Sequence, residues 1–286
     1  MEMTYRIPAL KIHVLKYISF HSNLYLHPLN MWSLLFQNCW RSSLSNCLLM
    51  AFTVKSVEGD LELADFPDEI MHKVFACLDL KDLLNCGQVA KRFRNIAHDK
   101  FLWQRTELSG QNISSALIHF ILDRGCKYLD LSNSRILNLD PILNIFNNCA
   151  ELIELNLENV NITVKESLIL VQNLTPKLKK INLGILYIRD SDKHIKILVK
   201  RCNQLQELCL QYRFPITDRA ITSVIDELKN TLESLDLYTC EKISYSKLLE
   251  LRLMKKLKKL NIRRSKEIGR LRAELRNLKI NEDQDF

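Results

Sequence analysis

The stretch Leu152-Ile153-Glu154-Leu155-Asn156-Leu157 decides the fold, because its LxxLxL spacing returns at a steady stride. Cys126/Leu129/Leu131 is the first full copy. Leu178/Ile181/Leu183, Leu205/Leu208/Leu210, Leu232/Leu235/Leu237 and Leu257/Leu260/Ile262 follow. The final positions advance by 26, 26, 27, 27 and 25 residues. Alternating apolar residues read as one face of a short strand. A turn follows each copy, as at Asn161-Ile162-Thr163 and Pro215-Ile216-Thr217-Asp218, and then a helical pattern. Ala220, Ile221, Val224, Ile225 and Leu228 recur at steps of three and four, with Asp218 where a helix N-cap belongs. Neither strand nor helix buries its apolar side alone, but stacked units do. The predicted fold is α/β: a curved solenoid with parallel strands on the concave side and helices on the convex side.

Composition narrows the function classes. Six glycines in 286 residues is about a third of average usage, and neither GxGxxG nor GxxxxGK[ST] occurs. Nine cysteines include no CxxC pair, which removes the usual zinc and redox spacings. Cys149 and Cys202 precede Leu152 and Leu205 by three residues and Cys240 follows Leu237 by three, so these thiols read as reduced packing residues. No HExxH or GxSxG appears; no catalytic residue, metal site or cofactor is expected. The net charge of +8 is uneven: residues 251–280 hold twelve Lys/Arg against Glu267 and Glu274. Lys255-Lys256-Leu257-Lys258-Lys259 resembles a nucleic-acid or import patch in composition, but its leucine keeps the repeat register. The lysines therefore read as the wet face of the last units, with no nucleic-acid partner expected. Residues 1–57 carry five basic residues and one acid, Glu2. They show neither a membrane-length apolar run nor a secretory core. They read as a poorly ordered extension, with Met50 an alternative start.

Upstream of the repeats, residues 61–107 read as three short helices. Pro67-Asp68-Glu69 is a helix start, and Ile70, Val74, Phe75 and Leu78 form its stripe. Leu80-Lys81-Asp82-Leu83-Leu84 opens a second helix, with Gly87 as its breaker. Val89, Phe93, Ile96 and Ala97 stripe a third, whose polar side carries Lys91, Arg92 and Arg94. Some forty-five residues is small for an independent core, so part of this apolar surface is expected to meet a partner.

Phe66-Pro67-Asp68-Glu69-Ile70, Val74-Phe75, Leu78, Asp82-Leu83, Val89-Ala90-Lys91-Arg92-Phe93-Arg94 and Leu102-Trp103 together resemble an F-box. Two departures are Phe66 for the usual Leu and Phe93 for the usual Trp. Joined to Cys-containing repeats, the chain resembles the F-box/leucine-rich-repeat proteins. Trp103 to Gly110, Leu129-Asp130-Leu131-Ser132-Asn133-Ser134 and Glu274 to Asn281 resemble the S-phase kinase-associated branch. That branch has more repeats and a long C-terminal tail, so its accessory cyclin-kinase-subunit partner is not carried over.

The resemblance implies a non-catalytic substrate receptor of an SCF (cullin-RING) ubiquitin ligase, nuclear and cytoplasmic, acting on proteins such as cell-cycle regulators. Phe66, Pro67, Ile70, Phe75, Leu78, Leu83 and Val89 would form or support the adaptor interface, reaching cullin and RING protein through the adaptor. Trp103 would join F-box to repeats. Substrate would meet the concave residues that alternate with the leucines: Tyr128, Asp130, Glu154, Asn156, Lys180, Asn182, Glu207, Cys209, Ser234, Asp236, Lys259 and Asn261. Arg263 and Arg264 offer paired donors to a substrate phosphate. The expected domains are 1–60 extension, 61–107 F-box, 108–281 repeats and 282–286 a short acidic tail. The alternative is a repeat scaffold with no ligase role, its first helices serving as a cap.

Overall fold

The computed structural model describes residues 55–56, 59–60, 67–137, 145–184, 191–212, 216–263 and 267–281. Phe66, Arg264, Pro215, the acidic tail and nearly all of the N-terminal extension lie outside the described residues; Lys55–Ser56 and Gly59–Asp60 pair antiparallel. The chain forms two compact units, Met1–Leu102 and Trp103–Phe286.

The first unit contains helices α1 (Asp68–Phe75), α2 (Leu80–Val89) and α3 (Lys91–Ala97). Pro67 stands at the N-cap of α1, and Asp68 and Glu69 fill the acid-favouring first turn. Asp79 caps α2 by accepting from the Asp82 amide at 2.8 Å. Met71, Phe75, Leu83, Ile96 and Ala97 are buried, and Phe93 packs edge-on against Phe75 with centroids 5.8 Å apart. Gly87 does not break α2. It lies inside the helix and is buried, and a Cβ there would sit 3.4 Å from the Ala97 methyl, so the glycine lets α2 and α3 approach. Nor are the arginines of α3 simply a solvated face. Arg92 pairs with Asp68 at 2.8 Å, and Arg94 Nε donates to the Gly87 carbonyl at 3.0 Å. Val89 ends α2 instead of striping α3.

The second unit is a mixed α/β body on a parallel sheet. Its strands are β1 (Arg105–Glu107), β2 (Asn112–Ser114), β3 (Tyr128–Asp130), β4 (Arg135–Leu137), β5 (Glu154–Asn156), β6 (Lys180–Asn182), β7 (Glu207–Cys209), β8 (Ser234–Leu237), β9 (Lys259–Ile262) and β10 (Lys279–Ile280). Eight of them lie in the order β10-β9-β8-β7-β6-β5-β3-β1, all neighbours parallel, while β2 and β4 form a separate pair. Helices α4 (Ser115–Asp123), α5 (Val164–Asn173), α6 (Ser191–Arg201), α7 (Asp218–Leu228), α8 (Tyr245–Leu249) and α9 (Ile268–Glu274) connect successive strands. The leucines of the LxxLxL copies are buried, as are the five residues expected to line α7.

Successive units are tied at their helix starts. Thr163 and Glu166 form a reciprocal capping box at α5. At α7 the N-cap is Thr217, not Asp218. Asp218 instead reaches the next unit, accepting from the Ser244 amide and hydroxyl, both at 2.7 Å, while Asp192 accepts from the Thr217 amide at 2.8 Å and from its hydroxyl. Asp192 and Asp218 thus each orient the cap of the following helix. Buried thiols make similar links: Cys202 Sγ donates to the Thr175 carbonyl and Cys240 Sγ to the Leu210 carbonyl. Burial pushes the Cys149 and Cys202 thiols up to about 11 and about 12, which fits packing residues.

Candidate functional site

Register places three rows of side chains across the eight-stranded sheet. The middle row, Thr106, Leu129, Leu155, Ile181, Leu208, Leu235, Leu260 and Ile280, is buried. The rows on either side share the opposite face, because side chains alternate along a strand. One flanking row runs Arg105, Tyr128, Glu154, Lys180, Glu207, Ser234, Lys259, Lys279; the other runs Glu107, Asp130, Asn156, Asn182, Cys209, Asp236, Asn261. From β1 to β7 this face forms an open groove of about 220 Å³. The twelve residues expected to meet substrate therefore do share one face, yet Cys209, Ser234 and Asp236 are buried instead of solvent-facing.

The two rows do different work. In the second, Asp130, Asn156, Asn182 and Asp236 each accept a backbone amide two residues on, from Ser132, Glu158, Gly184 and Tyr238, at 2.8, 3.1, 2.9 and 2.8 Å. These Asx turns close the strand end. The chain then passes through left-handed backbone three residues after the row, at Gly110, Asn133, Asn159, Tyr212 and Thr239. Gly and Asn suit that conformation; Tyr212 and the β-branched Thr239 adopt it at a cost of about 1–3 kcal/mol. One oxygen of Asp130, Asn156, Asn182 and Asp236 is thus committed to the fold.

The first row is free of that duty. Arg105 lies 4.6 Å from the Tyr128 ring centroid. Lys180 sits between Glu154 and Glu207 at 3.0 and 3.1 Å. Burial pulls its ammonium down, but hydrogen bonds to both glutamates outweigh it and hold Lys180 above its ordinary range. Glu158, beyond the strand ends, accepts from Asn182 Nδ2 at 3.1 Å and Gln211 Nε2 at 2.9 Å, knitting three units together. Arg105 and Glu107 were not expected from sequence. Their signal is Trp103-x-x-Thr106-x-Leu108, a degenerate repeat copy with Thr in the middle, which places Arg105 and Glu107 at the offsets of Tyr128 and Asp130.

Asp236 is 1 % exposed, and its carboxyl also accepts from Asn261 Nδ2 at 3.0 Å. Burial pushes it above the ordinary carboxylate range despite these donors. A carboxyl held above its unfolded value contributes most favourably below that value and loses the contribution as pH rises through the folded one. Asp236→Asn keeps the turn acceptor and discards the buried charge, and its amide NH2 is matched once the Asn261 amide turns its oxygen toward it. The variant is expected to be at least as stable as the native chain at neutral pH, with a weaker fall in stability from mildly acidic to neutral pH, measured by urea unfolding across that range. A clear loss of stability at neutral pH would contradict this account.

On the first unit, the residues expected at an adaptor interface divide by exposure. Phe75 and Leu83 are buried, so they support a surface without forming it; Ile70 and Leu78 are half-buried and Pro67 is exposed. Val89 is 73 % exposed and Phe101, which lies outside the periodic apolar stripes, is 67 % exposed. Phe101 lies in the short 3-10 helix Lys100–Trp103, with its amide donating to Asp99 Oδ1 at 2.8 Å. Trp103 begins the second unit and is buried there against Phe120, ring centroids 5.0 Å apart.

Among the described residues no group of three or more His, Cys, Asp or Glu is placed to hold a metal ion, and no helix is long and apolar enough to cross a membrane. A solved structure of the yeast Rad7–Elc1 complex matches 74 % of this chain and 87 % of that one, at 14 % identity and a TM-score of 0.33, a likeness too low to carry either fold or function. Residues 63–109, which include helices α1 to α3 and strand β1, fit the F-box-like family.

Proposed function

We propose that the chain is the substrate-recognition subunit of a cullin-RING ubiquitin ligase. The F-box-like match over residues 63–109 carries this reading. It is supported by a helical unit that leaves Val89 and Phe101, two large apolar side chains, on its surface. We read the strand–turn–helix units as leucine-rich repeats whose polar sheet face is the concave, substrate-facing side, related to the S-phase kinase-associated branch. The F-box unit docks on the ligase adaptor, and through it on cullin and the RING protein. The repeats hold the protein to be modified. The chain makes and breaks no bond itself; it raises the effective concentration of a substrate lysine near the charged conjugating enzyme.

The rows on the sheet refine the substrate side. Residues of the first row, chiefly Tyr128, Glu154, Lys180 and Glu207, contact substrate, and Asp130, Asn156, Asn182 and Asp236 of the second each commit one oxygen to a turn. The test is co-purification of the tagged 286-residue chain with recombinant adaptor and cullin. A stoichiometric complex is expected. A well-folded chain that retains neither protein would leave the repeat scaffold as the surviving reading.

A further inference from the structure

The open sheet face is electrically divided. Across its β1–β7 end, Arg105 and Lys180 stand against four carboxylates, Glu107, Asp130, Glu154 and Glu207. Lys180 is already spent between two of them. Glu107 and Asp130 lie directly opposite each other on adjacent strands, and Arg105 reaches Glu107 at 4.0 Å, so two cations share four carboxylates and the end stays net acidic. At the other end the signs reverse. Lys279 stands opposite Lys259 in register and Arg263 follows β9, while Asp236, the carboxylate of β8 on this face, is buried and held by the Tyr238 amide and Asn261.

Between the two ends sits Ser234, in register with Glu207 on one side and Lys259 on the other. It is 94 % buried, and its hydroxyl has no hydrogen-bond partner. A buried hydroxyl left unmatched is costly.

We propose that this face takes one extended polypeptide segment of split charge, its basic side chains over the β1–β7 end and its anionic side chains over Lys259, Arg263 and Lys279. The inference rests on the repeats being the substrate side. Eight strands at about 4.8 Å spacing span roughly 34 Å. An extended chain at about 3.4 Å per residue covers that distance in about ten residues. A uniformly basic or uniformly acidic segment would meet repulsion at one end, so the division of charge selects partners by order as well as by composition.

The test uses fluorescein-labelled ten-residue peptides and the 286-residue chain, read by fluorescence anisotropy at low salt. One peptide carries three Lys/Arg at one end and three Glu/Asp at the other, spaced by Gly and Ser. A second has the same residues with the charges alternating. The split peptide is expected to bind about tenfold tighter or more. Reversing the acidic end (Glu154→Lys with Glu207→Lys) or the basic end (Lys259→Glu with Lys279→Glu) should each remove that preference. Reversing both ends should restore it, because the peptide can bind the other way round; damage to the fold would not be restored. A third peptide with phosphoserine in place of the acids tells phosphate from carboxylate: tighter binding assigns the basic end to phosphate, equal binding to any anion. Equal affinity for split and alternating peptides, or no rescue in the double reversal, would overturn the inference. Adaptor capture measured on the same preparation keeps that failure separate from failure of the ligase reading.

Discussion

Replacing Val89 and Phe101 together by Asp is expected to weaken adaptor binding by about a hundredfold or more while leaving the chain folded. Both side chains are more than two-thirds exposed, so nothing in the native interior is lost by changing them. A small helical unit that leaves an aromatic and a branched aliphatic residue in water has a use for them. Large apolar anchors supply most of the energy of such interfaces, and a carboxylate in their place buries an unpaired charge. The contrasting substitution is Phe75→Ala. Phe75 is 1 % exposed and packs against Phe93, so its loss acts through the core by about 3–5 kcal/mol. Surface plasmon resonance against the immobilised adaptor, with circular dichroism as the folding control, separates the two. Native affinity in the folded Val89→Asp/Phe101→Asp variant would remove these residues from the interface.

Trp103→Ala should be the most damaging single change in the second unit. The ring is 1 % exposed and stacks edge-on against Phe120, and it lies where the later copies of the LxxLxL spacing carry Cys126 or a leucine. Beside it, the Trp103 carbonyl accepts from Thr106 Oγ1 at 3.2 Å, which satisfies the one hydroxyl in an otherwise apolar row. Removing the indole should cost about 3–5 kcal/mol, a large part of the total stability of an ordinary domain. In urea unfolding followed by circular dichroism, the variant is expected to show a much lower midpoint. A shift of less than about 1 kcal/mol would mean that the ring is not the interior element described.

The parallel sheet was legible because burial of alternating leucines follows from spacing alone, and Leu155, Leu208 and Leu235 sit where that spacing puts them. The first strand escaped because Thr106 occupies the position where the other copies place Leu or Ile. Asp218 had the right type and place for a cap, but Thr217 took that part, and only the position of Ser244 in the next unit shows what the carboxylate does instead. The division between the two polar rows was hidden for a similar reason. Asp130 and Tyr128 alternate with the same buried leucine, yet one is held by a backbone amide that no pattern of side chains reveals. Gly87 reads as a breaker in one dimension and as a point of close approach in three. Exposure of Phe101 depends on a turn held by Asp99, and no periodic signal marks it.

Affinity purification with and without proteasome inhibition, read by mass spectrometry, tests the two-surface account in one experiment. Three chains are compared: native, Val89→Asp/Phe101→Asp, and Glu154→Ala/Glu207→Ala. The native chain should retain adaptor, cullin and a set of proteins that accumulates under inhibition. The first variant should lose adaptor and cullin but keep that set, and the second should keep adaptor and cullin but lose the set. Adaptor retained by the first variant, or both groups lost together from the second while it remains folded, would contradict the account.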